Sequence, residues 1–179
     1  MKTRNNWMVL LAVLLLVGCG TDTSELRAYL HETDRSREVM RVLADEQLAW
    51  RREQEPLVGS ADFSWDQARN HFRHIVDSIE RESAQVAGLD VPPQAAEFHQ
   101  AVLSFYRHSA DMYRRQFEVM DLLEQMSRLQ QQANPDQAAA QAMVDRYEAV
   151  QQDLQLVAER IRESAGRSQS ERDRLGAIL

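Results

Sequence analysis

The four prolines of this chain stand at positions 56, 92, 93 and 135, and that confinement limits the fold more than any other feature. Between these three breaks run long stretches in which apolar residues recur at alternating three- and four-residue steps. That spacing keeps one face of an α-helix apolar and forms the seam of coiled-coil-like packing, whereas a half-buried strand needs a period of two. Four helices in series, joined by three connections, follow from it.

The first helix is predicted from about Thr21 to Gln54, a stretch without Gly or Pro. Asp22 and Glu25 could form its capping box. Its seam is Leu26, Tyr29, Thr33, Ser36, Met40, Leu43, Gln47 and Trp50. Three of these are polar, so this helix is expected to pack less tightly than the others. The segment from Glu55 to Phe63 then breaks the pattern, and its apolar Leu57, Val58 and Phe63 are expected to fold back over one end of the bundle, covering a site or closing the core. Ser64 with Gln67 caps a second helix along Trp65, Ala68, Phe72, Ile75, Ile79, Glu82 and Val86, and Gly88 stands at its C-cap. Glu82 is the one charged seam member. It can be accommodated near a bundle end, by an Arg partner, or as a functional buried acid.

Pro93 suits the first turn of a third helix, predicted to reach about Ala133. Two adjacent stripes mark it: Phe98, Val102, Phe105, Ser109, Met112, and beside them His99, Leu103, Tyr106, Ala110, Tyr113, Phe117, Met120. A doubled stripe implies contact with more than one neighbour, which makes this the central helix. Its end from Ser127 to Ala133 is Gln-rich and nearly core-free. Asn134-Pro135-Asp136-Gln137 stops it and starts the fourth helix, with Asn134 as cap. The fourth seam is the cleanest: Ala140, Met143, Tyr147, Val150, Leu154, Val157, Ile161. Either Gly166 ends this helix, or the charged segment from Arg167 to Arg174 continues it and places Leu175, Ile178 and Leu179 at an apolar end.

The fold class expected is all-α: an antiparallel up-down-up-down four-helix bundle with coiled-coil-like packing and a long hairpin between the third and fourth helices. At 1.5 Å per residue the third helix would span about 60 Å and the second about 35 Å, so the hairpin is expected to project, with a polar tip near 130–137.

The N-terminus carries a different message. Lys2 and Arg4 precede an unbroken apolar run of 11 residues, Trp7 to Val17, and small residues follow at Gly18 and Gly20. This is the layout of an export signal, too short for a span of about 20 residues. The residues alone allow cleavage after Gly18 or Gly20. The sequence Leu16-Val17-Gly18-Cys19 resembles the lipobox of bacterial lipoproteins. That resemblance implies cleavage between Gly18 and Cys19, a diacylglycerol on the Cys19 thiol, and acylation of the new amino group. With Gly20 rather than Asp after the cysteine, it implies the periplasmic face of an outer membrane rather than the inner membrane. The chain then divides into a signal segment 1–18, a lipidated tether 19–24, a bundle 25–166 and a charged end 167–179.

Composition narrows the chemistry. Cys19 is the only cysteine, so with its thiol lipidated no disulfide, thiol nucleophile or zinc–thiolate site is available. Without the signal segment 19 basic residues, all Arg, face 28 acidic ones, a net charge near −9 that disfavours nucleic acid. No Glu-x-x-His motif, Gly-rich phosphate loop or Ser-His-Asp constellation can be placed, so no catalytic residue is assigned, enzymatic activity is not expected and no cofactor is called for. His71, His74 and Asp77 share one side of the second helix and are weak candidates for a metal, although surface histidines explain them better. His99 reads as a satisfied core histidine. Phe98, Phe105, Tyr106, Tyr113 and Phe117 could line a ligand pocket, or simply form core. The expected role is a lipid-anchored interaction or assembly protein with a protein partner in the cell envelope. The alternative is a carrier or sensor for a small hydrophobic ligand or metal.

Overall fold

The computed structural model describes residues 23–58, 60, 62–132 and 136–179. Among them lie four helices and no strand: α1 (Thr23–Gln54), α2 (Trp65–Ala87), α3 (Ala96–Gln130) and α4 (Gln137–Gly176). Single 3-10 turns at Glu55–Leu57 and Pro93–Ala95 flank the first two connections. The export signal, the lipobox with its tether up to Asp22, and the Asn134-Pro135 turn lie outside the described residues. No helix among the described residues is long and apolar enough to cross a membrane.

Local chemistry sets the helix ends. Ser64 Oγ accepts from the Gln67 N–H at 3.3 Å and starts α2, as the capping pattern predicts. The cap of α4 is Asp136 rather than Asn134. Its carboxylate accepts from the N–H groups of Ala138 and Ala139 at 2.9 and 3.2 Å, where a negative charge also meets the positive end of the helix dipole. Gly88 does close α2, but at φ −87°, so it uses none of the left-handed freedom glycine offers; its N–H bonds the carbonyls of Ala84 and Gln85 at 3.2 Å each. Pro93 opens a 3-10 turn, and the α-helix proper begins at Ala96.

The chain runs up, down, up, down. At one end, called proximal here, Tyr29 of α1 meets Phe98 and His99 at the start of α3, and Arg27 reaches the Leu179 carbonyl beyond the end of α4. At the other, distal end, Trp50 of α1 stacks on His71 near the start of α2. Backbone packing is most extensive between α3 and α4, then between α2 and α3, and α1 takes a smaller share of it. The central helix is therefore α3.

The predicted seams face inward, most completely on α1, while on the α4 seam only Val150 and Val157 are buried and the rest are half-buried. Of the α1 seam, every residue from Leu26 to Gln47 is buried and Trp50 is half-buried. The main core joins Leu26, Tyr29, Ile75, Ile79, Phe98, Val102 and Tyr106, and a second, distal core joins Phe63, Ala68, Phe72 and Met120. The connection between α1 and α2 closes that distal core, because Phe63 is buried in it and Leu57 packs against it, while Val58 stays exposed.

Of the two alternatives for the fourth helix the continuous one is found, and the hairpin differs from expectation. Helix α4 passes straight through Gly166 to Gly176, so the charged segment is continuous with the bundle; Leu175 is fully buried in the main core, while Ile178 and Leu179 are exposed. The α3–α4 hairpin projects less than helix lengths suggest. Arg69 near the start of α2 reaches Glu124, and α3 continues only six residues further to Gln130, about 9 Å. The last turns are not coreless either, since Leu129 is buried.

Burial assigns different costs to the residues at the end of α4. Leu175→Ala is expected to lower the unfolding free energy by about 2–5 kcal/mol, and Ile178→Ala by less than about 0.5 kcal/mol. Chemical denaturation of both variants reads this directly, and equal effects would show that α4 does not dock beyond Gly166.

Candidate functional site

Tyr29, Ser36 and Gln47 on the α1 seam each find a partner across the bundle. The Tyr29 hydroxyl lies 3.1 Å from His99 Nδ1, which a neutral imidazole satisfies as acceptor. One to two turns on, Tyr106 donates to Ser36 Oγ at 2.9 Å and Ser36 donates to Glu82 Oε2 at 2.9 Å, a relay linking α3, α1 and α2. Thr33, fully buried, returns its hydroxyl to the carbonyls of Leu30 and Tyr29. Glu82 is thus held by the buried Ser36 hydroxyl, and no ion pair joins it to an Arg among the described residues. Burial raises the ionisation of Tyr29 and Tyr106 above the usual range and keeps both phenols as donors. His99 is a satisfied core histidine, and burial pushes its basicity down.

The histidines of α2 are unlike one another. His74 is exposed, whereas His71 is half-buried, stacked on Trp50 with ring centres 4.7 Å apart and planes 6° from parallel. His71 Nε2 donates to Gln47 Oε1 at 2.7 Å. Glu46 of α1, rather than Asp77, is the acid facing the pair: its Oε1 lies 3.9 Å from His71 Nδ1 and 3.8 Å from His74 Nε2. Burial lowers the basicity of His71 and outweighs the attraction of Glu46. Among the described residues no group of three or more His, Cys, Asp or Glu is placed to hold a metal ion.

One of the concavities lies at the distal end. The cross-bundle polar contacts between α1 and α4 are proximal, where Arg172 clamps Asp34 at 2.8 Å and Arg37 donates to Gln169 at 3.1 Å. Distally the two helices part and leave a cleft of about 340 Å³. Gln47, Trp50 and Arg51 of α1 form one wall, Tyr147, Gln151 and Leu154 of α4 the other, and Gln116, Val119, Met120 and Leu123 of α3 the floor, with Phe72 at the back. The charges at the mouth, Arg51 and Glu55, pair at 3.6 Å. Gln116 Oε1 is buried with no hydrogen-bond partner.

Of the five aromatic residues considered for a pocket, two are buried and three half-buried, and Tyr106 also lines a shallow concavity between α2 and α3. Phe98 and Tyr106 are fully buried in the main core, and Phe105 and Tyr113 pack against it. Tyr113 and Phe117 also pack against the distal core. The cleft is built instead from residues that sequence reasoning did not select. The signal was present: continuing the first α3 stripe past Met112 by the same steps lands on Gln116, Val119 and Leu123. Continuing the second stripe past Met120 lands on Glu124, a buried carboxylate that Arg69 and Arg128 hold ionised below the usual carboxylate range. No family model matches the chain, and no curated protein or solved structure proves similar to it.

The depressed basicities of His71 and His99 give the bundle a defined pH response. Both remain neutral in the fold at pH values where the unfolded chain, titrating near 6.5, already binds protons. Stability is therefore lost as the pH falls through 6.5 toward the lower folded values. The melting temperature is expected to decline between pH 7 and 5.5, and to decline less in His99→Gln, which keeps an acceptor for Tyr29. Identical slopes in thermal melts of the two proteins would remove His99 from this account.

Proposed function

We propose that the chain is a lipid-anchored, non-enzymatic interaction protein of a bacterial cell envelope, tethered at its proximal end and meeting a protein partner at its distal end. The observation that carries this reading is the short distance in sequence from Cys19 to the start of α1 at Thr23. The intervening residues can span at most about 3.3–3.6 Å each, so a lipid on Cys19 would hold the beginning of α1 close to the bilayer. The turn between α2 and α3 and the end of α4 share that side. The tip of the α3–α4 hairpin and the cleft beside it then face away from the lipid.

What supports a partner at the tip is its composition and exposure. Gln130, Gln131 and Gln132 are exposed there, at and just beyond the end of α3. An acylated cysteine with two or more chains anchors stably, at about 0.8 kcal/mol per buried methylene, so no other membrane contact is needed. Placement on the periplasmic face of an outer membrane belongs to the same proposal, through Gly20 after Cys19.

Two measurements test it. Cys19→Ala should abolish incorporation of an alkyne-tagged fatty acid and leave the signal segment attached; a fatty-acid-labelled, processed Cys19→Ala protein would contradict lipid anchoring. In cells, a photocrosslinker at Gln131 should capture a defined protein that the same probe at proximal Asp90 does not. Identical capture from both positions, or none from Gln131, would remove the distal partner.

A further inference from the structure

The concavity between α2 and α3 carries an accessible charge that has no partner. Its volume of about 360 Å³ falls in the range of about 300–1,000 Å³ typical of small-molecule sites. Ile79, Tyr106 and Ala110, all buried, line its apolar part, and the Tyr106 hydroxyl is already engaged with Ser36. The α2 side is built from the small side chains of Ser83, Ala84 and Ala87, which leave a groove running along the two helices. Glu80 pairs with Arg114 across these antiparallel helices and marks one end. Seven residues further along α2 and seven back along α3 stand Ala87 and Arg107, about 10 Å away at 1.5 Å per residue.

Charge selects the occupant. On a chain of net charge −7, this lining holds two arginines against one carboxylate. Arg114 takes that carboxylate, Glu80, and pairs with Asp111 at 2.6 Å as well. Arg107 stands one turn before Asp111, is exposed, and has no ion pair or hydrogen bond among the described residues. A guanidinium receives a carboxylate through two parallel N–H groups. A cation would instead meet an uncompensated like charge, and a neutral molecule would leave it uncompensated.

We infer that the groove between α2 and α3 binds a short linear fatty acid, its carboxylate on Arg107 and its tail laid over Ile79, Ala84 and Ala110. The small residues of α2 admit an unbranched chain, and the Arg114–Glu80 pair closes the far end and limits its length. Burial of the tail supplies the attraction, while Arg107 decides which end of the molecule lies where.

Octanoate is the probe, with octanol as its uncharged counterpart and octylamine, a cation at neutral pH, as its opposite. Titrations of the full chain followed by NMR should show saturable binding of octanoate, with octanol weaker by about three- to fivefold and octylamine weaker still. Added salt should narrow these differences, because the charge is exposed. Arg107→Gln should bring octanoate to the level of octanol and leave octanol unchanged. Ala84→Trp, a change at an exposed helix position, fills the groove and should abolish binding of both while far-ultraviolet dichroism stays helical. Should Ala84→Trp fail to fold, Arg107→Gln alone decides the charge claim. The inference is overturned by an absence of saturable octanoate binding to the unsubstituted chain, by equal binding of octanoate and octanol there, or by undiminished octanoate binding to Arg107→Gln or to folded Ala84→Trp. None of these outcomes bears on Cys19 labelling, so this site and the envelope reading succeed or fail separately.

Discussion

The architecture depends on how α1 is attached. Its backbone takes a smaller share of the packing than the other helices do, and polar side chains bridge what would otherwise be a loose interface. Tyr29 meets His99, Ser36 stands between Tyr106 and Glu82, and Gln47 holds His71. Sliding α1 by one turn would break all three levels together and leave buried groups unpaired, at about 1–3 kcal/mol each. An apolar seam of equal length tolerates such slippage better. Polar contacts therefore give α1 a single register at the expense of tight packing.

That attachment shapes the surface available for function. In the proximal half Arg172 and Arg37 draw α1 and α4 together. In the distal half such contacts give way to the cleft, floored by the central helix. The polar seam of α1 and the distal cleft are two consequences of one arrangement, in which α3 packs closely against α2 and α4 and only loosely against α1.

The sequence carried the helices, their order and most of their buried faces, because three- and four-residue periodicity reports burial directly. It was less informative where a seam became polar. The first α3 stripe turns polar after Met112, at Gln116, and that residue belongs to the floor of the cleft. The apolar part of the α4 seam stops at Ile161, and the same steps continue through Ser164 and Ser168, both buried, to Leu175, which is the continuing one of the two alternatives. A serine pair on a seam resembles an exposed helix end unless the neighbouring helix is known. Glu82 was legible as an anomaly but not its partner, since Ser36 lies 46 residues away and no local pattern connects them. For the cap of α4 the sequence offers Asn134 and Asp136, both competent, and Asp136 is the one used.

A double-mutant cycle on Tyr106→Phe and Ser36→Ala measures the attachment of α1 most directly. Chemical denaturation of the four proteins should give a coupling of about 0.5–1.5 kcal/mol between the two positions, as expected for a buried hydrogen bond that fixes register. Additivity within about 0.3 kcal/mol would contradict the claim that α1 is held by polar contacts across the core.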